Sequence, residues 1–262
     1  MKRFVIANQK GGVGKTTTAV NLGAYLSQMG KKVLLVDIDP QSNLTSAVGF
    51  KSDNNDVLRD SNKAPYPNIY DVLAGEKKAS EVFVTTDTEN LFLLPAHLSL
   101  AGAEIELVSQ LARESILKKA LDSFSEEFDY VLIDSPPSLG ILTINALVAA
   151  DKIIVPIQCE YFALEGLGQL IETVKLVGNL NPELSIGGVV LTMHDSRTRL
   201  SSQVVREVKE FFKDLVFRTV IPRNVRLSEA PSYGKPIGDY DEASSGAEAY
   251  KRLAKEFVKR FD

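Results

Sequence analysis

Nine consecutive residues, Gln9-Lys10-Gly11-Gly12-Val13-Gly14-Lys15-Thr16-Thr17, constrain this chain more than any other stretch. They follow the apolar run Phe4 to Ala7 and precede Ala19, Leu22, Gly23 and Leu26 at helical spacing, so the sequence predicts strand, glycine-rich loop, helix. Gly11, Gly12 and Gly14 carry no Cβ, which lets backbone N–H groups converge on phosphate oxygens. The helix opening near Lys15 adds the positive end of its dipole. The loop from Lys10 through Val13 to Thr17 is thus a candidate phosphate cradle, with Lys15 on the β- and γ-phosphates and Thr16 on magnesium. It departs from G-x-x-x-x-G-K-[ST] at one position and carries an extra lysine at a free one. Gln9 stands where the first glycine belongs, and Lys10 adds a second lysine.

At 262 residues the chain suits one large α/β domain, residues 1–262, better than two. Apolar residues make up 44% and charged residues 24%, which excludes a disordered or fibrous class. The absence of a long apolar run or of a leader-like N-terminus gives the expectation of a cytoplasmic protein. A single cysteine, Cys159, excludes an internal disulfide and any C-x-x-C metal site within one chain. The net charge of −4 argues weakly against nucleic acid, because a whole-chain sum says little about a local patch.

Further apolar runs recur at Val33 to Val36, Leu91 to Leu94, Tyr130 to Ile133, Ile153 to Ile157, Gly188 to Leu191 and Val216 to Ile221. They read as strands buried on both faces. Amphipathic stretches lie between them, among them Gly102 to Phe124 and Leu164 to Leu180. That alternation predicts an α/β fold: a doubly wound, mostly parallel sheet with helices on both faces, whose ligands sit at the carboxyl ends of the strands. Residues 49–68 lose periodicity and read as a surface excursion.

Two strand ends carry acids. Val36-Asp37-Ile38-Asp39-Pro40-Gln41 places Asp37 and Asp39 where the second run leaves the sheet. A carboxylate there can hold a metal-bound water or orient the attacking water of phosphoryl transfer; strand-end aspartates also cap the helix that follows. Tyr130-Val131-Leu132-Ile133-Asp134 is four apolar residues and an acid, the pattern that binds magnesium through water opposite a loop threonine. Neither His97 nor His194 lies near a motif, so both read as surface or structural residues.

The run Lys10-Gly11-Gly12-Val13-Gly14-Lys15-Thr16 resembles the deviant Walker A signature of the ParA/MinD family of P-loop ATPases. Leu100 to Leu107, Gln158 to Gly166 and Pro222 to Ser232 are similar to the chromosomal ParA, or Soj, group, so the resemblance covers nearly the whole chain. It implies a magnesium-dependent ATPase for DNA segregation that forms an ATP-sandwich homodimer, binds double-stranded DNA nonspecifically and is released by a ParB-like partner that stimulates hydrolysis. On that resemblance Lys10 reaches across the dimer to the partner's phosphates, and Asp39 positions the hydrolytic water. Asp134 serves magnesium, Pro222 and Asn224 lie against the adenine, and Arg197 and Arg226 contact the DNA backbone. The group acts in the cytoplasm on the nucleoid.

Residues 194–235 hold nine basic against five acidic side chains, a local surplus that is a candidate DNA face in an acidic protein. With only nine residues before Lys10, a preceding helix-turn-helix and operator-specific binding are not expected. Two alternatives stay open: a relative that positions a plasmid or protein cargo, and a MinD-like division-site regulator held at a membrane. The stripe Tyr250, Leu253, Ala254, Phe257, Val258 and Phe261 is the candidate membrane face, but it also matches a last core helix, so no stable membrane anchor is expected. One cysteine per chain excludes the iron–sulfur relatives.

Overall fold

The computed structural model describes residues 1–50, 66–124, 127–161 and 165–262. All seven predicted strands form: β1 (Lys2–Ile6), β2 (Val33–Asp37), β4 (Leu91–Leu94), β5 (Tyr130–Asp134), β6 (Lys152–Gln158), β7 (Ser185–His194) and β8 (Val216–Pro222). A two-residue strand without a sequence signal, β3 (Val84–Thr85), pairs antiparallel with β4 at one edge. The eight strands lie in the order β3-β4-β2-β5-β1-β6-β7-β8, and every pairing other than β3 with β4 is parallel. The chain leaves β1 toward β2 on one side and leaves β5 toward β6 on the other. The crevice of such a sheet opens at this reversal, at the carboxyl end of β1.

Period-two alternation in the central strands feeds a core on each face. Phe4, Ile6, Leu35 and Leu132 pack under α1 (Lys15–Gln28) and α11 (Ser245–Phe261). Val5, Val36, Val131 and Ile133 pack under α5 (Ile116–Asp122), α6 (Ile141–Ala149) and α8 (Arg199–Phe212). α1 lies so close to the sheet that a Cβ on Gly23 would come within 2.8 Å of Leu35 Cδ2. The apolar stripe of α11 belongs to this core: Tyr250, Leu253, Ala254 and Phe257 are buried. Among the described residues no helix is long and apolar enough to cross a membrane.

One stretch is more broken than its period suggests, and another lies mostly outside the described residues. The stretch Gly102 to Phe124 is not one helix: α4 (Leu100–Glu106) gives way to 3₁₀ turns at Leu107–Ser109 and Arg113–Ser115 before α5. Gln110 is extended and Ala112 left-handed at φ +53°, which breaks the helix while Ala103, Leu107, Leu117 and Leu121 stay in the core. The surface excursion at residues 49–68 lies mostly outside the described residues, and its last residue, Asn68, is buried, capping α3 (Ile69–Leu73).

A short helix, α2 (Asn43–Ala47), follows β2, and its chain exits through Gly49 at φ +80°. Gly234, at φ +62° after the turn Ala230–Tyr233, lies directly against it. A Cβ on Gly49 would stand 2.7 Å from Gly234 O, and one on Gly234 2.5 Å from Gly49 Cα.

Candidate phosphate and nucleotide site

The loop between β1 and α1 takes the shape its glycines allow. Gly12 and Gly14 have φ of +72° and +89°, where an L side chain is strained, and nothing stands within 4 Å of a Cβ built on Gly11 or Gly12. This leaves an open concavity whose wall is main chain. Hydrogen bonds of three side chains fix the loop. Thr192 of β7 donates to Val13 O at 2.8 Å. Asn8 accepts from Lys10 N at 3.0 Å and donates to Pro156 O at 2.7 Å. The Thr16 hydroxyl donates to Asp134 Oδ2 at 2.6 Å. Neither Thr192 nor Asn8 stands out in the sequence, although Asn8 adjoins the motif.

A cavity of about 310 Å³ in front of this loop is lined by Gly11, Gly12, Lys15, Thr16, Asp39, Asn43 and Pro137, among others. The structure thus brings together the P-loop lysine and threonine and the acid after β2, with Asp134 behind Thr16. Lys15 is buried, with Nζ 3.4 Å from Lys10 O. Burial pulls its pKa below the ordinary lysine value, and Asp134 and Asp39 oppose that shift. Lys10 itself is half-buried.

The acids divide their work. Asp37 is fully buried and its Oδ2 accepts from both Thr45 N at 2.8 Å and the Thr45 hydroxyl at 2.7 Å. It therefore bolts α2 to the end of β2, the capping alternative of the sequence reading. Burial pushes its pKa up to about 6 against the pull of those hydrogen bonds. Asp39, slightly more open, accepts from Gln41 N at 2.9 Å and faces the cavity. Asp134 is buried, and burial, then the neighbouring Asp37, hold its carboxyl well above the usual range.

The donor set fits a hard divalent cation. Among the described residues only Tyr25 Oη and Asp134 Oδ1 are buried side-chain polar atoms without a hydrogen-bond partner. That orphan carboxylate oxygen, the Thr16 hydroxyl and the open cradle make an all-oxygen corner. No cluster of three His, Cys, Asp or Glu among the described residues encloses a metal by itself, so phosphate and water oxygens must complete any such sphere.

A neighbouring cavity of about 360 Å³ is lined by Gly14, Thr17, Met193, Pro222, Asn224 and Tyr250, among others, which places Pro222 and Asn224 beside the cradle. Asn224 also has a structural task. Its Oδ1 accepts from Arg226 N to cap α9 (Val225–Glu229), and its Nδ2 donates to the Ser245 hydroxyl, both at 2.8 Å. Met193, left-handed at φ +52°, lines both cavities and carries no sequence signal.

The basic segment is less positive in space than in sequence. Arg197 forms a two-pronged pair with Asp195 at 2.9 and 2.7 Å. Arg226 pairs with Glu229 at 2.8 Å and Asp241 at 3.3 Å, and Arg223 pairs with Glu160. Asp241 and Glu160 lie outside residues 194–235, so the local surplus of positive charge is smaller than the segment alone suggests.

Known proteins share this design. The family model described as an AAA domain matches residues 1–186. The sporulation initiation inhibitor protein Soj of Bacillus subtilis (strain 168) is 55% identical over 256 residues, 97% of each chain. The chromosome-partitioning ATPase Soj of Treponema pallidum (strain Nichols) is 52% identical over 260 residues, 99% of this chain and 98% of its own. Among solved structures, a cobyrinic acid a,c-diamide synthase from Mycobacterium smegmatis with bound ATP analog and magnesium matches with a TM-score of 0.83 at 38% identity, covering 100% of this chain and 96% of that one. A full-length match at half identity, on a cradle with both lysines in place, identifies the chain as a member of the ParA/MinD family of P-loop ATPases, in its Soj branch.

Proposed function

We propose that this chain is a chromosome-partitioning ATPase: it hydrolyses ATP with magnesium, dimerises around two nucleotides, binds double-stranded DNA without sequence preference as the dimer, and lets go after hydrolysis. The observation that carries the reading is the convergence of Lys15, Thr16, Asp134 and Asp39 on one open main-chain cradle. Magnesium, when bound, polarises the phosphoryl oxygens and offsets the charge that develops in transfer.

Each residue has one task. Main-chain N–H groups of Gly11 to Thr17 hold the phosphates, and Lys15 neutralises their charge from a buried position where its field is weakly screened. Thr16 and Asp134 supply the metal corner. Asp39 orients the attacking water, while Asp37 keeps α2 and hence Asp39 in place through Thr45. Lys10 serves the partner subunit's nucleotide, so a subunit is complete only as half of a dimer. Pro222 and Asn224 flank the base. The lone cysteine, buried with its thiol pushed up to about 12, gives no support to thiol-dependent chemistry at this site.

The DNA face is formed by the Arg197 and Arg226 regions of both subunits. The partner that triggers release is a ParB-like protein, and the protein works in the cytoplasm on the nucleoid. The experiment is light scattering and DNA binding of one preparation with ATP, ADP or no nucleotide, each with magnesium. An ATP-specific dimer that alone binds unrelated duplexes equally well supports the reading; a nucleotide-independent monomer that hydrolyses ATP overturns its dimer and DNA parts.

A further inference from the structure

We infer that Asn8 is the residue that aims Lys10, by substituting for the sheet's own hydrogen-bond ladder at the point where the chain leaves it. β1 pairs in parallel with β6 through Ile6 opposite Ile154, and Ala7 N continues the ladder to Ile154 O at 3.1 Å. In a parallel ladder the next main-chain donor on that edge is two residues on, at Gln9, and the next acceptor is Pro156 O. That acceptor is taken instead by the Asn8 side-chain amide, Nδ2 to Pro156 O, at 2.7 Å. The main chain is thereby released from the sheet one step early, while the buried carbonyl of Pro156 keeps a partner.

The other end of the same amide holds the released chain. Asn8 Oδ1 accepts from Lys10 N at 3.0 Å, closing a turn that fixes where residue 10 starts. Asn8 is 5% exposed, and its bond to Pro156 O is buried. The two partners also fix the amide's sense: an N–H faces the oxygen and a C=O faces the nitrogen, and reversal sets like against like at both ends. Aspartate can serve Lys10 but turns a second acceptor toward Pro156 O; alanine serves neither.

Lys10 O in turn accepts from Lys15 Nζ at 3.4 Å, so Asn8 holds the N–H and Lys15 the carbonyl of the same residue. Asn8 touches no phosphate position and acts only through Lys10; it is a positioning residue. This rests on the proposed role of Lys10 across the dimer.

The test is a double-mutant cycle of Asn8→Ala and Lys10→Ala, with two readings per protein: ADP affinity of the monomer and the ATP-dependent dimer constant from light scattering. Asn8→Ala is expected to weaken the ATP dimer about tenfold, the effect of one hydrogen bond, and to leave ADP affinity within about twofold. In the Lys10→Ala background it is expected to do nothing further. Asn8→Asp, which keeps the Lys10 acceptor, should recover most of the dimer even where the fold loses stability. Equal effects in both backgrounds, or a matching loss of ADP affinity, or no recovery in Asn8→Asp, overturns the inference. A normal dimer in Lys10→Ala alone instead removes the role of Lys10 on which it rests, and the two failures are distinct.

Discussion

The Thr16 hydroxyl donates to one oxygen of Asp134 at 2.6 Å, while the other oxygen is buried and has no hydrogen-bond partner among the described residues. A buried acceptor left unpaired costs about 1–3 kcal/mol. On the proposed reading a cation beside it removes that cost, so that metal binding and relief of the orphan atom are one event.

Asp134→Asn keeps an acceptor for Thr16 and removes the charge. Nucleotide affinity in magnesium should fall to the value in chelator, and kcat roughly a hundredfold, because the metal is no longer held where charge develops. Titration calorimetry with and without chelator decides it; the same magnesium dependence as the parent rules the role out. Metal-free stability gives a second reading. Asp37 and Asp134 hold their protons above the ordinary carboxylate range, so the unfolded chain loses them first and stability falls as pH climbs from that range through about 6, the value for Asp37. Asp134→Asn should flatten that decline in urea unfolding as pH climbs from the ordinary carboxylate range through about 6.

Asp39→Ala removes a cavity-facing acid whose side chain accepts from Gln41 N. ATP binding should be retained and turnover lowered by about 10²–10⁴, the range for a positioned group in proton transfer. Single-turnover hydrolysis against binding under the same conditions separates the two, and a variant that fails to bind ATP assigns Asp39 to the phosphates instead.

On the proposed reading, Arg226 must leave Glu229 and Asp241 to meet DNA. Two opposite substitutions follow. Arg226→Glu should lose duplex binding while keeping the ATP dimer, and Glu229→Gln should strengthen it. Removing one arginine per subunit takes two contacts from the dimer and should flatten the slope of log K against log salt by about 1.8. Unchanged affinity in both variants at moderate salt places the DNA face elsewhere.

Cys159 is buried, and burial pushes its thiol up to about 12. A thiol-specific reagent near neutral pH should leave the native protein unlabelled and modify one thiol per chain in denaturant. Rapid native labelling shows that the end of β6 opens in solution.

Much of the cradle was legible because its parts are local. The periodicity on either side of residues 9–17 fixes strand, loop and helix, and an acid ending an apolar run needs only the sheet order to bring it to Thr16. What the sequence hid depends on chain segments that meet only after folding. Thr192 reaches Val13 across 179 positions, and nothing in a β-strand threonine announces that contact. Asp37 and Asp39 look equivalent as text, yet Thr45 captures one and the cavity takes the other. The positive segment was overcounted for the same reason, since Glu160 and Asp241 enter its field from elsewhere. Residues 102–124 kept their apolar period through a break that the left-handed Ala112 imposes.

Gly49 and Gly234 touch through main chain alone, each filling the space where the other's side chain would begin. No substitution at either position can be compensated by repacking a neighbour, because the neighbour has nothing to withdraw. For anyone recombining this chain with a relative, the end of α2 and the turn before Lys235 are therefore one cassette: exchanged together they preserve the fit, and a crossover between them must restore glycine at both places.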